Sequence, residues 1–114
     1  MATNFTGVST VAIRLHPALL SPAQRHAAFR PENGMPDVEC VYDPELHTGP
    51  DRTESPEERE ARESVARDVC ASCPALALCR AYALEVLPSF GVWSGMTPPE
   101  IAEHAADLDW LEVA

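Results

Sequence analysis

The stretch Cys70-Ala71-Ser72-Cys73-Pro74-Ala75-Leu76-Ala77-Leu78-Cys79 sets three thiols around one proline. Proline suits the first position of a helix, because its missing N–H is one that the first turn leaves unbonded anyway. The spacing predicts that one helix closes near Cys70 and another opens at Pro74, with Cys79 roughly two turns along it. Three sulfurs then gather at one helix-turn-helix corner. Upstream, Ser55-Pro56-Glu57-Glu58 has a capping serine, a proline at the first helical position and a glutamate three residues after the cap. This predicts a helix to about Val69. Ala61, Val65 and Val69, spaced four apart, are expected on its buried face, with Glu58/Arg62 and Glu63/Arg67 paired on the wet one. Downstream, Ala75 to Leu87 is apolar nearly all round, the pattern of a buried central helix, and Pro88 ends it. Thr97-Pro98-Pro99-Glu100 repeats the capping signal and starts a third helix that presents Ile101, Ala105 and Leu108 on one face.

The fourth thiol, Cys40, lies far from the corner, giving the pattern C-x29-C-x2-C-x5-C with no cysteine left over. It precedes Asp43-Pro44-Glu45-Leu46, where the proline pushes its predecessor out of the helical region and starts a turn. Cys40 thus staples a leading loop to the helical pair. Prolines 17, 22, 31 and 36 punctuate the first third and argue against any long regular element there. Residues 1–36 are read as a flexible basic arm, and residues 37–112 as the folded domain with an acidic C-terminal helix. No alternating strand pattern occurs. The expected fold class is all-α, a small bundle of three to four short helices.

The chain has 114 residues, enough for one small domain. Eleven prolines and seven aromatics leave little with which to fill a core. Its charge is -10, from eighteen acids against eight arginines and no lysine. Phosphate neutralisation requires a positive surface, so a general nucleic-acid binder is disfavoured. The sign is uneven: three arginines and no acid in residues 1–31, six acids and no lysine or arginine from Ala81 to the end. No apolar run spans a bilayer and no secretory leader is evident, so the chain is expected in the cytoplasm. Cysteines there point to metal or redox chemistry rather than structural disulfides.

Three chemistries are open to these thiols. A tetrahedral zinc site usually takes two short ligand pairs, and the second pair is missing here. A Cys70/Cys73 redox pair at a helix start could act as a disulfide reductase, although such chemistry normally sits in a βαβ context. Three grouped cysteines and one remote one fit best with an iron-sulfur cluster, whose larger core needs more widely separated thiolates.

The quoted residues, together with Gly91-Val92-Trp93-Ser94-Gly95, resemble the WhiB-like (Wbl) family of actinobacteria and their phages. The resemblance covers roughly Pro36 to Ile101. It implies a few short helices around a [4Fe-4S] cluster ligated by Cys40, Cys70, Cys73 and Cys79. It implies a transcriptional regulator rather than an enzyme, associating with region 4 of the principal sigma factor as the monomeric half of a heterodimer. It further implies sensing of nitric oxide or oxygen, and a sigma-facing role for the turn formed by Gly91, Val92, Trp93, Ser94 and Gly95.

Two departures from that family are visible. Ser94 stands where relatives usually have glycine, which imposes strain if the position requires positive φ. Many relatives carry a basic DNA-contacting tail, whereas this chain has Glu100, Glu103, Asp107, Asp109 and Glu112. Those carboxylates repel phosphate, so DNA is expected to be contacted only weakly or indirectly. Tyr82 and Trp110 are expected to pack. His16, His26, His47 and His104 have no motif spacing and are expected at the surface.

Overall fold

The computed structural model describes residues 14–113, with side chains as far as Trp110. The first thirteen residues of the expected arm lie outside the described residues. Five α-helices follow one another: α1 (Pro22–Phe29), α2 (Pro44–Thr48), α3 (Pro56–Ala71), α4 (Leu76–Val86) and α5 (Pro98–Val113). Short 3-10 turns occupy Pro17–Leu19 and Glu39–Tyr42. Among the described residues the only extended pairing is one isolated bridge between Trp93 and Met96. The all-α expectation holds, with more helices than the three or four expected.

The capping signals work as read. The Ser55 hydroxyl accepts from the Glu58 N–H at 3.1 Å, and the Ser55 N–H donates to Glu58 Oε1 at 2.9 Å. At α5, the Thr97 N–H donates to Glu100 Oε1 at 2.8 Å. A second complete box stands inside the expected arm. Ser21 and Gln24 exchange the same two bonds, at 3.1 and 2.8 Å, and start α1. Pro22 therefore opens a helix instead of breaking one. The described part of the arm, residues 14–36, is packed on the domain: Leu20, Ala28 and Phe29 join one core with Tyr82, Val86, Trp93 and Ile101. The boundary drawn at residue 36 moves towards the N-terminus.

Three faces differ from expectation. On α3 the buried residues are Ala66 and Cys70, whereas Ala61 and Val65 are exposed and Val69 is half-buried. Its arginines choose distant acids over the local ones. Arg62 forks onto Glu54 at 3.0 and 2.8 Å, and Arg67 pairs with Glu100 on α5 at 2.9 Å. These tertiary pairs rotate the helix, setting Arg62, Ala66 and Cys70 inward at a spacing of four. On α4, Tyr82, Ala83 and Val86 are buried but Ala77 and Ala81 face solvent, so the helix is not buried all round. Among the described side chains of α5 only Ile101 is fully buried, and Leu108 and Trp110 are exposed at 44 and 68%. The packing role expected of Trp110 is not found, because the helix runs past the end of the core. No helix of the described residues is long and apolar enough to cross a membrane.

Candidate functional site

The helical corner forms where the sequence places it. Cys70 sits in the last turn of α3, and the Cys73 N–H donates back to the Cys70 carbonyl at 3.0 Å. The Cys73 sulfur in turn accepts the Ala75 N–H at 3.4 Å. Cys79 lies in the first turn of α4, nearer the corner than two turns, because α4 opens at Leu76 rather than Pro74. Cys40 is held in the Glu39–Tyr42 turn. The four thiols are free, and all four line one narrow pocket of about 20 Å³, room for a single water. No three His, Cys, Asp or Glu side chains among the described residues are gathered closely enough to hold a single metal ion.

Burial pushes the Cys40 thiol up to about 12, reinforced by the neighbouring Cys70 and Cys73 sulfurs. Cys79 is raised by burial and then by Cys40 and Cys70, and Cys70 is raised chiefly by burial. The Gly95 and Ser94 amides act against that rise at Cys70, and the Ser94 amide does so at Cys79. Thiolates crowded into such a cavity are costly unless something positive joins them. The four-thiol donor set therefore fits a group that brings its own positive charge. Burial holds Cys40, Cys70 and Cys79 away from the depressed pKa of a reactive thiol.

The turn after α4 closes this cavity. Trp93 and Met96 exchange N–H to carbonyl bonds of 2.9 and 3.0 Å across Ser94 (φ 54°) and Gly95 (φ 78°). Two successive positive φ values define a turn of the I′ kind, which favours glycine or asparagine. Ser94 is strained as expected, and its hydroxyl donates to the Leu76 carbonyl at 3.0 Å, pinning the turn to α4. At Gly91 a Cβ would lie 2.9 Å from Trp93 Nε1 and 3.1 Å from the His47 carbonyl, so only glycine fits. The Val92 N–H donates to that same carbonyl at 2.8 Å.

Trp93 is 1% exposed. Its ring stacks on Tyr82 at 5.6 Å, meets the edge of His16 at 4.9 Å and donates Nε1–H to the Phe90 carbonyl at 2.7 Å. The indole is thus a foundation of the turn and offers no surface to a partner. Val92 is fully buried as well. Gly91, Ser94, Gly95 and Met96 are half-buried, and Ser94 and Met96 border a groove along Leu76, Ala77, Arg80, Ala81 and Leu84 of α4.

Two histidines expected at the surface are buried beside the cysteines. His16 Nδ1 accepts the Ala18 N–H at 3.0 Å and Nε2 lies 2.7 Å from the Val92 carbonyl, which assigns the neutral, Nε2-protonated ring. Burial lowers its pKa to about 4, with the Val92 bond opposing and His47 assisting. His47 is buried to the same degree, and neither of its ring nitrogens has a hydrogen-bond partner. Both rings line the cavity. Nothing in their local sequence signals this, since each is buried by contacts from distant segments.

Residues 39–103 match the family described as "Transcription factor WhiB", more than half of the chain. The transcriptional regulator WhiD of Streptomyces coelicolor is 49% identical over 45 residues, 40% of this chain and 40% of its own length. The redox-responsive transcriptional regulator WhiB3 of Mycolicibacterium smegmatis is 43% identical over 42 residues, 37% of this chain and 44% of its own. The redox- and pH-responsive transcriptional regulator WhiB3 of Mycobacterium tuberculosis is likewise 43% identical over 42 residues, and the match spans 41% of that protein. The chain therefore spans well under half the length of these curated relatives.

Proposed function

We propose, from the premise that this chain belongs to the WhiB family of transcription factors, that it is a redox-responsive regulator in which Cys40, Cys70, Cys73 and Cys79 hold a [4Fe-4S] cluster. The observation that carries this reading is the opening of four free thiols, two buried and two half-buried, onto one cavity. When bound, the cluster supplies electron transfer and reactivity towards oxygen or nitric oxide. The chain's own part is structural. Cys70 and Cys73 fix the end of α3, Cys79 fixes the start of α4, and Cys40 ties the leading loop to both. The Ser94 amide favours the charged form of Cys70 and Cys79, and the Gly95 amide that of Cys70. A change at the sulfurs therefore reaches the outward rim of the 91–95 turn through two peptide groups.

The partner is region 4 of the principal sigma factor, docking on Ser94, Gly95, Met96 and the apolar groove of α4. The charge of -10 suits a DNA-binding module that is itself basic, and gives fast, salt-sensitive association. The exposed carboxylates of α5, Glu103, Asp107 and Asp109, discourage direct contact with promoter phosphates. The regulator then works on the polymerase through sigma. Anaerobic isolation should give coloured protein with iron and labile sulfide in equal amounts, and gel filtration should show a one-to-one complex with region 4 that weakens with salt. Colourless protein carrying zinc, or cluster-loaded protein that leaves region 4 free, would remove the respective half of the proposal.

A further inference from the structure

Residues 15–20 precede the matched family region, yet they close two features of the site. His16 and Pro17 form part of the wall of the cysteine cavity, and His16 covers the edge of Trp93. Both residues are buried. Besides the His16 bond to the Val92 carbonyl, Tyr82 Oη donates to the Leu15 carbonyl at 2.6 Å and the Arg14 guanidinium donates to the Val86 carbonyl at 2.9 Å. These three anchors run to α4 or to the turn, and Arg25 of α1 also donates to the Pro17 and Leu20 carbonyls. On its other side the segment faces solvent, with Leu15 and Leu19 about half exposed.

We propose that residues 15–20 are a strap that limits access to the cysteine cavity and shields Trp93, with His16 as its latch. The proposal rests on the cluster reading for what the cavity holds. A single layer of chain, made of one 3-10 turn and a few hydrogen bonds, opens at lower cost than the helices beneath it. His16 is the one residue of the strap that bonds the turn, covers the indole and walls the cavity together. Removing its ring frees the Val92 carbonyl, opens the cavity wall and uncovers Trp93 in one step. The strap thereby sets how fast small reagents reach the sulfurs.

The test uses the full cluster-loaded chain in a Trp110→Phe background, so that emission reports Trp93 alone. Under anaerobiosis, His16→Ala should lose iron to a ferrous chelator roughly five- to ten-fold faster, the effect of losing one buried hydrogen bond on an opening equilibrium. Acrylamide should quench Trp93 more strongly in the same variant. His16→Gln, whose amide can still donate to Val92, should stay near the parent in both. Faster quenching with unchanged iron loss would overturn the guarding role. No change in either, with helical circular dichroism intact, would overturn the latch. If His16→Ala fails to fold, Tyr82→Phe takes its place by removing one strap anchor, and an absence of any rise in either rate would sink the idea. If the parent chain holds no iron, the cluster reading fails by itself. The strap is then read from thiol alkylation of the four cysteines, where equal rates in parent and His16→Ala would overturn it.

Discussion

The two halves of this molecule are held by different means. Around α1 and α4 a continuous core joins Leu20, Phe29, Tyr82, Val86, Trp93 and Ile101, with Tyr82 between Phe29 and Trp93 at 5.6 Å from each ring. Around α2 and α3 the fully buried apolar cluster is only Ala66, Cys70 and Val92, supported by partly buried Leu46 and Leu76. Burying one large apolar side chain is worth about 1.5–3 kcal/mol, so the first half has several times the apolar stabilisation of the second. What the α2–α3 half has instead is polar: Arg62 forked onto Glu54 and bonded to the Leu46 carbonyl at 2.9 Å, and Cys70 facing the cavity. The lesson is that ligation at the sulfurs matters most where the core is thinnest. A sensor that reports its state through shape needs that imbalance.

Two variants measured side by side test the imbalance. Cys70→Ala removes a ligand from the weak half and should open that half at a cost of about 3–5 kcal/mol, short of the whole margin of the domain, since ligation and folding are coupled there. Hydrogen exchange should show protection lost across residues 56–71 while α4 stays protected. Trp93→Ala, in the strong half, should cost about 3–5 kcal/mol and lower protection throughout, because the indole supports both α4 and the turn. Uniform loss in both variants would erase the distinction between the halves.

Acid sharpens the comparison at the seam where His16 and His47 meet. His16 has a folded pKa of about 4 against 6.5 for an ordinary imidazole, so the folded chain favours the neutral ring. The stability this represents is full above pH 6.5 and is lost as pH falls towards 4, on the order of 3 kcal/mol in all. His47 shifts in the same direction, also through burial. Unfolding midpoints measured across that window should fall with acid in the parent and fall less in His16→Gln. Parallel curves would show that protonation of His16 is not what loosens the seam.

Much of this was legible in the sequence, and the remainder was hidden for identifiable reasons. The starts of α3 and α5 were written as capping boxes, and the cysteine spacing located the corner. The start of α1 was written in the same script, Ser21-Pro22-Ala23-Gln24, but its proline reads as a breaker when the neighbouring prolines are counted with it. The buried face of α3 was not legible, because Ala61, Val65 and Val69 form a regular stripe while Arg62 and Arg67 reach for Glu54 and Glu100 outside the helix. Local periodicity cannot anticipate a tertiary ion pair. The burial of His16 and His47 belongs to the same class, set by Val92, Trp93 and each other across long sequence separations.

The smallest expected effect lies at Ser94, where both halves touch. Its backbone is in the left-handed region, costing a non-glycine residue roughly 1–2 kcal/mol, and its hydroxyl recovers roughly 0.5–1.5 kcal/mol through the bond to Leu76. The opposing contributions nearly cancel, so Ser94→Gly should change stability by less than about 1 kcal/mol in either direction. Ser94→Ala keeps the strain and loses the bond, and should be about 1 kcal/mol less stable than either. Chemical denaturation of the three chains decides the matter. If Ala and Ser are equal, the hydroxyl contributes nothing and the strain alone remains. If Ala falls below both, the side chain that departs from the family's glycine is compensated within its own turn, and the departure leaves the amides that favour charged Cys70 and Cys79 where the sulfurs need them.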